Sequence, residues 1–116
     1  MTGDGVMDDR VDLVPGTLDM LAMKAVSGAR LHGFGIARWI EAMTGDRLTV
    51  EEGALYPALH RMEKRGWLDS EWQRTEHGRR ARYYRLTTEG ARELEAARRR
   101  WEGSAWAVRQ ILDAEG

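Results

Sequence analysis

The apolar spacing of this 116-residue chain changes period at Gly66, and that switch limits the available folds more than any other feature. Before Gly66, hydrophobic residues recur every three or four positions, the repeat of helices that bury one face. Directly after it, WLDSEWQR and ARYYRLT bring the aromatic and β-preferring residues of strands, separated by the polar segment RTEHGRR with Gly78 at its tip. From Thr88 to Ala114 helical steps return through Leu94, Ala97, Trp101, Ala105, Val108 and Leu112. The expected architecture is therefore mainly α with a small β-hairpin, ending in one long helix of about 40 Å at the usual rise per residue.

Three helices are expected ahead of the hairpin. From Thr17, the residues Leu18, Leu21, Ala22, Ala25 and Val26 keep helical spacing until Gly28 supplies a stop. LHGFGIARWIEAMTG places Ile36, Trp39, Ile40 and Met43 on one stripe and ends at Gly45, while Gly33 and Gly35 weaken its start. Thr49 and Glu52 have the spacing of a capping box, which starts the third helix near Val50 and carries it to Gly66. Within it, EEGALYPALHRM has Leu55, Leu59 and Met62 at core spacing yet contains Pro57. That proline forfeits a bond to the Gly53 carbonyl, and Gly53 reads as the residue that lets the first turns bend around its ring. The alternative is that Glu51 to Ala54 form a turn and the helix starts nearer Leu55. Residues 1–13 lack periodicity and are expected to form a flexible acidic tail, with order beginning near Pro15.

Composition narrows the function. A chain this short with 42% hydrophobic residues supports one core. It has no cysteine, so disulfides and thiolate metal sites are excluded and a cytoplasmic location is expected. No run approaches the roughly 20 apolar residues that span a bilayer, so no membrane partner is expected. His32, His60 and His77 fall on three separate elements without metal-ligand spacing. Neither a nucleophile elbow nor a phosphate-binding glycine loop is present, so no catalytic site, metal or cofactor is expected. Net charge is −1 but unevenly spread. Residues 1–20 hold five acids and one base, whereas residues 60–85 hold eight bases and four acids, a local excess of +4. A phosphate-facing surface needs such an excess, although solvated charged faces also produce it.

Three helices followed by a hairpin is the order of a winged helix-turn-helix, in which the third helix enters the major groove and the wing reaches the backbone or minor groove. On this organisation residues 14–87 form the DNA-binding domain and 88–114 the C-terminal helix. The segments LVPGTLDML, LHGFGIARWIE, GALYPALHRMEKRGW and RRARYYRLTTEG closely resemble the PadR family of bacterial transcriptional regulators, over about Leu13 to Asp113. The single long terminal helix is similar to that of the family's short branch. The resemblance implies a homodimeric repressor of double-stranded DNA, dimerised chiefly by that helix, and a role beside a transporter or detoxification gene. Two-fold symmetry implies a near-palindromic operator with half-sites about 34 Å apart. The competing reading is a winged helix that serves only as a protein interaction module.

Candidate contacts follow from the periodicity. On the third helix, Gly53, Tyr56, His60, Arg61 and Lys64 lie on the outer arc. A phenol or imidazole there can bond a phosphate oxygen or base edge, or Tyr56 packs on the second helix instead. Arg61 and Lys64 either reach DNA or pair with a carboxylate such as Glu41 or Glu63. In the wing, His77, Arg79, Arg80 and Arg82 cluster beside a glycine turn, with Arg80 and Arg82 on one side and Ala81 and Tyr83 on the other. They either contact phosphates or guard a sheet edge. At the second helix, His32, Gly33 and Phe34 resemble the family's His-Gly-Tyr-Gly run. Gly33 allows close backbone approach to a phosphate, and Phe34 lacks the hydroxyl of the usual tyrosine. For dimerisation the expected residues are Leu94, Ala97, Trp101, Ala105, Val108, Ile111 and Leu112. Trp101 fills the seam between copies or, as the resemblance implies, lines a slot for a small aromatic effector.

Overall fold

The computed structural model describes Leu13 and residues 16–116. Apart from Leu13, the acidic tail and the start of order at Pro15 lie outside the described residues. The elements are α1 (Thr17–Ala25), β1 (Leu31–His32), α2 (Gly33–Met43), α3 (Glu52–Lys64), β2 (Leu68–Arg74), β3 (Arg80–Leu86) and α4 (Thr88–Leu112).

α1, α2 and α3 close around one core in which Met23, Ile36, Leu55, Leu59, Met62 and Leu68 lose nearly all contact with water. Each fully buried side chain of this size contributes about 1.5–3 kcal/mol against chain entropy. The stripe expected on α2 holds for Ile36 and Ile40 and for the partly buried Trp39, and Ala37 joins it, but Met43, the last residue of the helix, is exposed. The turn into α3 is tied by Glu41, whose carboxylate accepts the Val50 amide at 3.0 Å, and by Thr44, whose hydroxyl accepts the Leu48 amide at 3.1 Å.

α3 starts at Glu52, two residues later than the capping box implied. Glu51 is the N-cap and makes no side-chain capping bond, so the Thr49 box is not formed. The helix does run through Pro57. A methyl group built on Gly53 meets no side chain within 4 Å. α3 closes with a Schellman arrangement: the Trp67 amide reaches the Met62 carbonyl at 3.0 Å and the Gly66 amide the Glu63 carbonyl at 3.0 Å, with Gly66 at φ 80°.

The hairpin carries a third strand that periodicity did not suggest. β1 pairs antiparallel with β3 (Leu31 opposite Tyr84, His32 opposite Tyr83), giving the order β1-β3-β2. Two residues have no period to read, so the strand is visible only once β3 offers its edge. The β2–β3 register sets Leu68 opposite Leu86, Ser70 opposite Tyr84, Trp72 opposite Arg82 and Arg74 opposite Arg80. These pairs share the face that packs on α3 at its inner end.

α4 is capped by Thr87, whose hydroxyl accepts the Gly90 amide at 2.9 Å while donating to the Gly66 carbonyl at 2.6 Å. Gly90 is buried where α4 crosses the Trp67 carbonyl, which a side chain there would strike. That explains TTEG: a cap residue and, three positions on, the one residue that allows the crossing. Leu94 then packs on the core, and beyond Ala97 every α4 residue except Ala105 is exposed.

Candidate functional site

α3 buries Leu55, Ala58, Leu59 and Met62, which turns Gly53, Tyr56, Pro57, His60 and Lys64 outward along a single exposed stripe. At its leading end the Tyr56 ring lies across Gly33 at the start of α2. A Cβ on Gly33 would stand 2.5 Å from Tyr56 Cε1 and 3.0 Å from its oxygen. Gly33 is buried, so the ring rather than a phosphate occupies the space above its backbone. Tyr56 thus packs on the second helix while remaining 44% exposed. Burial first, and then the charge of Glu52, push its phenol above the ordinary value.

His32 does what sequence reading did not assign to it. As N-cap of α2 it accepts the Gly35 amide on Nδ1 at 2.9 Å, which leaves the proton of the neutral ring on Nε2. The same ring meets Tyr83 edge-on at 5.1 Å between centroids, joining α2 to β3. The signal was a histidine directly before a Gly-x-Gly helix start. Phe34, next to it, is 58% exposed.

Along the hairpin, ion pairing sorts the eight bases of residues 60–85. Arg61 donates to both oxygens of Asp19 on α1 at 2.8 Å. Arg85 grips Asp69 at 2.6 and 2.7 Å on the far face of the sheet, and Arg30 pairs with Glu71 there as well. Arg82 donates to Ser70 at 2.7 Å and to Glu63 at 3.0 Å, with Ser70 also donating to Glu63 at 2.6 Å. This triad fastens the wing to the last turn of α3. Desolvation raises the Glu63 pKa, but the bonds from Ser70 and Arg82 and the arginine's charge outweigh it and hold it below the usual range. The other five, Lys64, Arg65, Arg74, Arg79 and Arg80, have no carboxylate partner among the described residues; Arg65 lies over the Trp67 ring and Arg74 donates to the Gly78 carbonyl at 3.0 Å.

At the wing tip, Thr75 closes the turn: its amide donates to the Arg79 carbonyl at 2.6 Å, its carbonyl accepts from Gly78 at 2.9 Å, and Gly78 sits at φ 81°. Arg80 and Arg82 share one side of β3, both over the Trp72 ring at 5.2 and 5.6 Å from its centroid. The structure gathers Gly33, Phe34, Tyr56, His77, Arg79, Arg80 and Arg82 around one concavity of about 1000 Å³ between the wing and the helices. Gly53, His60 and Lys64 continue the exposed stripe outside it, and Arg61 is turned to α1. Trp72, on the wall of the concavity, was absent from the sequence-based set, although strand alternation places it with Arg80 and Arg82.

On α4, Ala97, Trp101, Ala105, Val108 and Leu112 form a continuous stripe with Ile111 at its margin, and Trp101 is 52% exposed. The stripe and Met20 of α1 line a second concavity of about 700 Å³. Leu94, at the stripe's inner end, is in contact with its own core. Among the described residues no cluster of acidic, cysteine or histidine side chains has the makings of a metal site. Nor, among the described residues, is any helix long and apolar enough to cross a membrane.

Residues 23–96 match the model of the transcriptional regulator PadR-like family. The fold is similar to that of a transcriptional regulator from Clostridium thermocellum (26% identity, 84% of this chain and 92% of that one, TM-score 0.77). It is also similar to a PadR family transcriptional regulator from Eggerthella lenta (30% identity, 86% and 85%, TM-score 0.74). A PadR family transcription regulator from Clostridium difficile shares 28% identity over 84% of this chain and 99% of its own, with a TM-score of 0.71.

Proposed function

Because this chain belongs to the PadR-like family of transcriptional regulators, and is accordingly a winged-helix regulator and not an enzyme, we propose that it represses transcription as a homodimer on a near-palindromic operator. In this reading the outward stripe of α3, with Tyr56 and His60 foremost, enters the major groove. Arg79, Arg80 and His77 of the wing meet phosphates. Arg61 and Arg82 hold the frame, because each is already engaged by a carboxylate. The observation that carries the proposal is the concavity shared by wing and helices, which puts unpaired cations and a phenolic donor on the same side as the α3 stripe.

The second copy is assigned to the α4 stripe, whose exposed Trp101, Val108, Ile111 and Leu112 form too continuous an apolar surface for an isolated helix. A small aromatic effector would enter between the two Trp101 rings, and release of a transporter or detoxification gene would follow from its binding.

Fluorescence anisotropy with duplexes from the region upstream of the protein's own gene tests the reading. A complex whose affinity falls steeply with salt is expected. Arg80→Ala should weaken binding to every sequence alike, whereas His60→Ala should change sequence preference. Light scattering of Val108→Asp should report a folded single chain. A flat salt response, or no complex at low salt, refutes the DNA assignment in favour of a protein interaction module.

A further inference from the structure

Trp72 is exposed to 54% on a sheet face where Leu68 of its own strand and Tyr84 of β3 are buried. Its ring is held in place. Arg82, directly opposite in the register, lies over it while donating from Nε to Ser70 and from Nη2 to Glu63. Arg80 lies over the ring too, but has no carboxylate partner among the described residues. A guanidinium held over a ring by cation–π attraction still has N–H groups to offer an acceptor. The outcome is a half-exposed apolar ring with a cation held over it that lacks a carboxylate partner among the described residues, on the wall of the wing concavity, where Arg79 adds positive charge and Glu76 negative.

We propose that Trp72 is the wing's apolar contact with one DNA strand, its indole covering the non-polar face of a deoxyribose while Arg80 takes the adjoining phosphate. This rests on the DNA-binding function proposed above and adds the part of the ligand that the wing touches. A nucleic-acid backbone alternates apolar sugar with anionic phosphate, and Trp72 beside Arg80 presents the complementary alternation. A hydrocarbon partner would leave Arg79 and Arg80 desolvated and unpaired, which is unfavourable. Bases in a duplex are stacked on one another, so the sugar is the apolar group that a wing lying along the backbone can reach.

The salt dependence separates this from a ring that only props its arginines. Trp72→Ala in the full chain should weaken binding about tenfold on both specific and scrambled duplexes, with the slope of log affinity against log salt unchanged. Arg80→Ala should lower that slope by about one. Trp72→Phe should recover most of the loss, and Trp72→Thr, a strand-favouring residue without a ring, should repeat the alanine result with the thermal melt of the hairpin intact. Affinity within twofold of wild type for both ringless variants overturns the contact. A drop in salt slope equal to that of Arg80→Ala reduces Trp72 to a support and likewise overturns it. If wild type itself forms no salt-sensitive complex with any duplex, the DNA-binding function has failed. If wild type binds and only Trp72 proves silent, this inference alone has failed. Wild-type binding to an acidic polypeptide in place of DNA, lost in the Trp72 variants, assigns the ring to a protein partner instead.

Discussion

Gly33→Ala isolates the contact that aims Tyr56. The added methyl would sit 2.5, 2.9 and 3.0 Å from Cε1, Cζ and the oxygen of the Tyr56 ring, where ordinary contact needs about 3.5–4 Å. The ring must therefore retreat by on the order of 1 Å. Overpacking in a closed core costs about 1–3 kcal/mol. Tyr56 is 44% exposed and can move into solvent, which places the cost at the low end. Alanine for glycine at the first position of α2 returns up to about 1 kcal/mol through helix propensity. The two terms nearly cancel, so the melting temperature should change little. The displaced phenol should nevertheless lose the DNA contact proposed for it, worth about 1 kcal/mol, or roughly a fivefold rise in Kd. The assay pairs thermal denaturation with anisotropy titration of wild type, Gly33→Ala, Tyr56→Ala and the double variant. The double variant should bind no worse than Tyr56→Ala alone, because the methyl then has nothing to displace. Additive losses, or wild-type binding by Gly33→Ala, would refute the view that Gly33 acts through Tyr56.

Two further changes probe the frame. Gly90→Ala drives a methyl into the Trp67 carbonyl, a backbone atom that cannot turn aside. It should destabilise by about 3 kcal/mol or more, lowering the melting temperature by about 10 °C or more, and a shift of only a degree or two would contradict the close crossing. Acid should weaken the wing. The folded Glu63 pKa lies below its unfolded value, so the stability it adds is complete above the ordinary carboxylate range and is lost as pH falls through the folded value. Asp69, depressed chiefly by its bond from Arg85, acts in the same direction. Denaturation followed between pH 7 and 3 should show a declining acid limb that is shallower in Glu63→Gln, and an identical limb in that variant would dismiss the triad.

The helices, hairpin and terminal helix were legible because each repeats a period over many residues. What was not legible depends on one-off contacts. β1 is two residues long and exists only as an addition to the edge of β3. Thr49 and Glu52 have capping spacing, yet the Glu41 carboxylate takes the Val50 amide and α3 starts after that tie. The charge excess of residues 60–85 could be counted but not apportioned, since the partners of Arg61 and Arg82 are 42 and 19 positions away. Gly33 and Gly53 look alike in sequence. One lies beneath a tyrosine ring and the other faces open space.

Pro57 connects stability to function most directly. It lies on the exposed stripe of α3 beside Tyr56 and His60, and because it has no N–H the Gly53 carbonyl goes without its helical partner. On the buried side an orphan carbonyl would cost about 1–3 kcal/mol, but here it is open to water and, in a complex, to a donor. The position thus sacrifices helix stability on the face assigned to DNA. Pro57→Ala should restore the bond and recover up to about 3 kcal/mol, raising the melting temperature. It should also tighten the leading turns that carry Tyr56, so that affinity for the specific duplex falls while affinity for a scrambled one is nearly unchanged. A variant both more stable and equally selective would show that the proline has no part in how α3 meets the groove. A less stable variant would show that its fixed backbone angle, and not the lost hydrogen bond, dominates at this site.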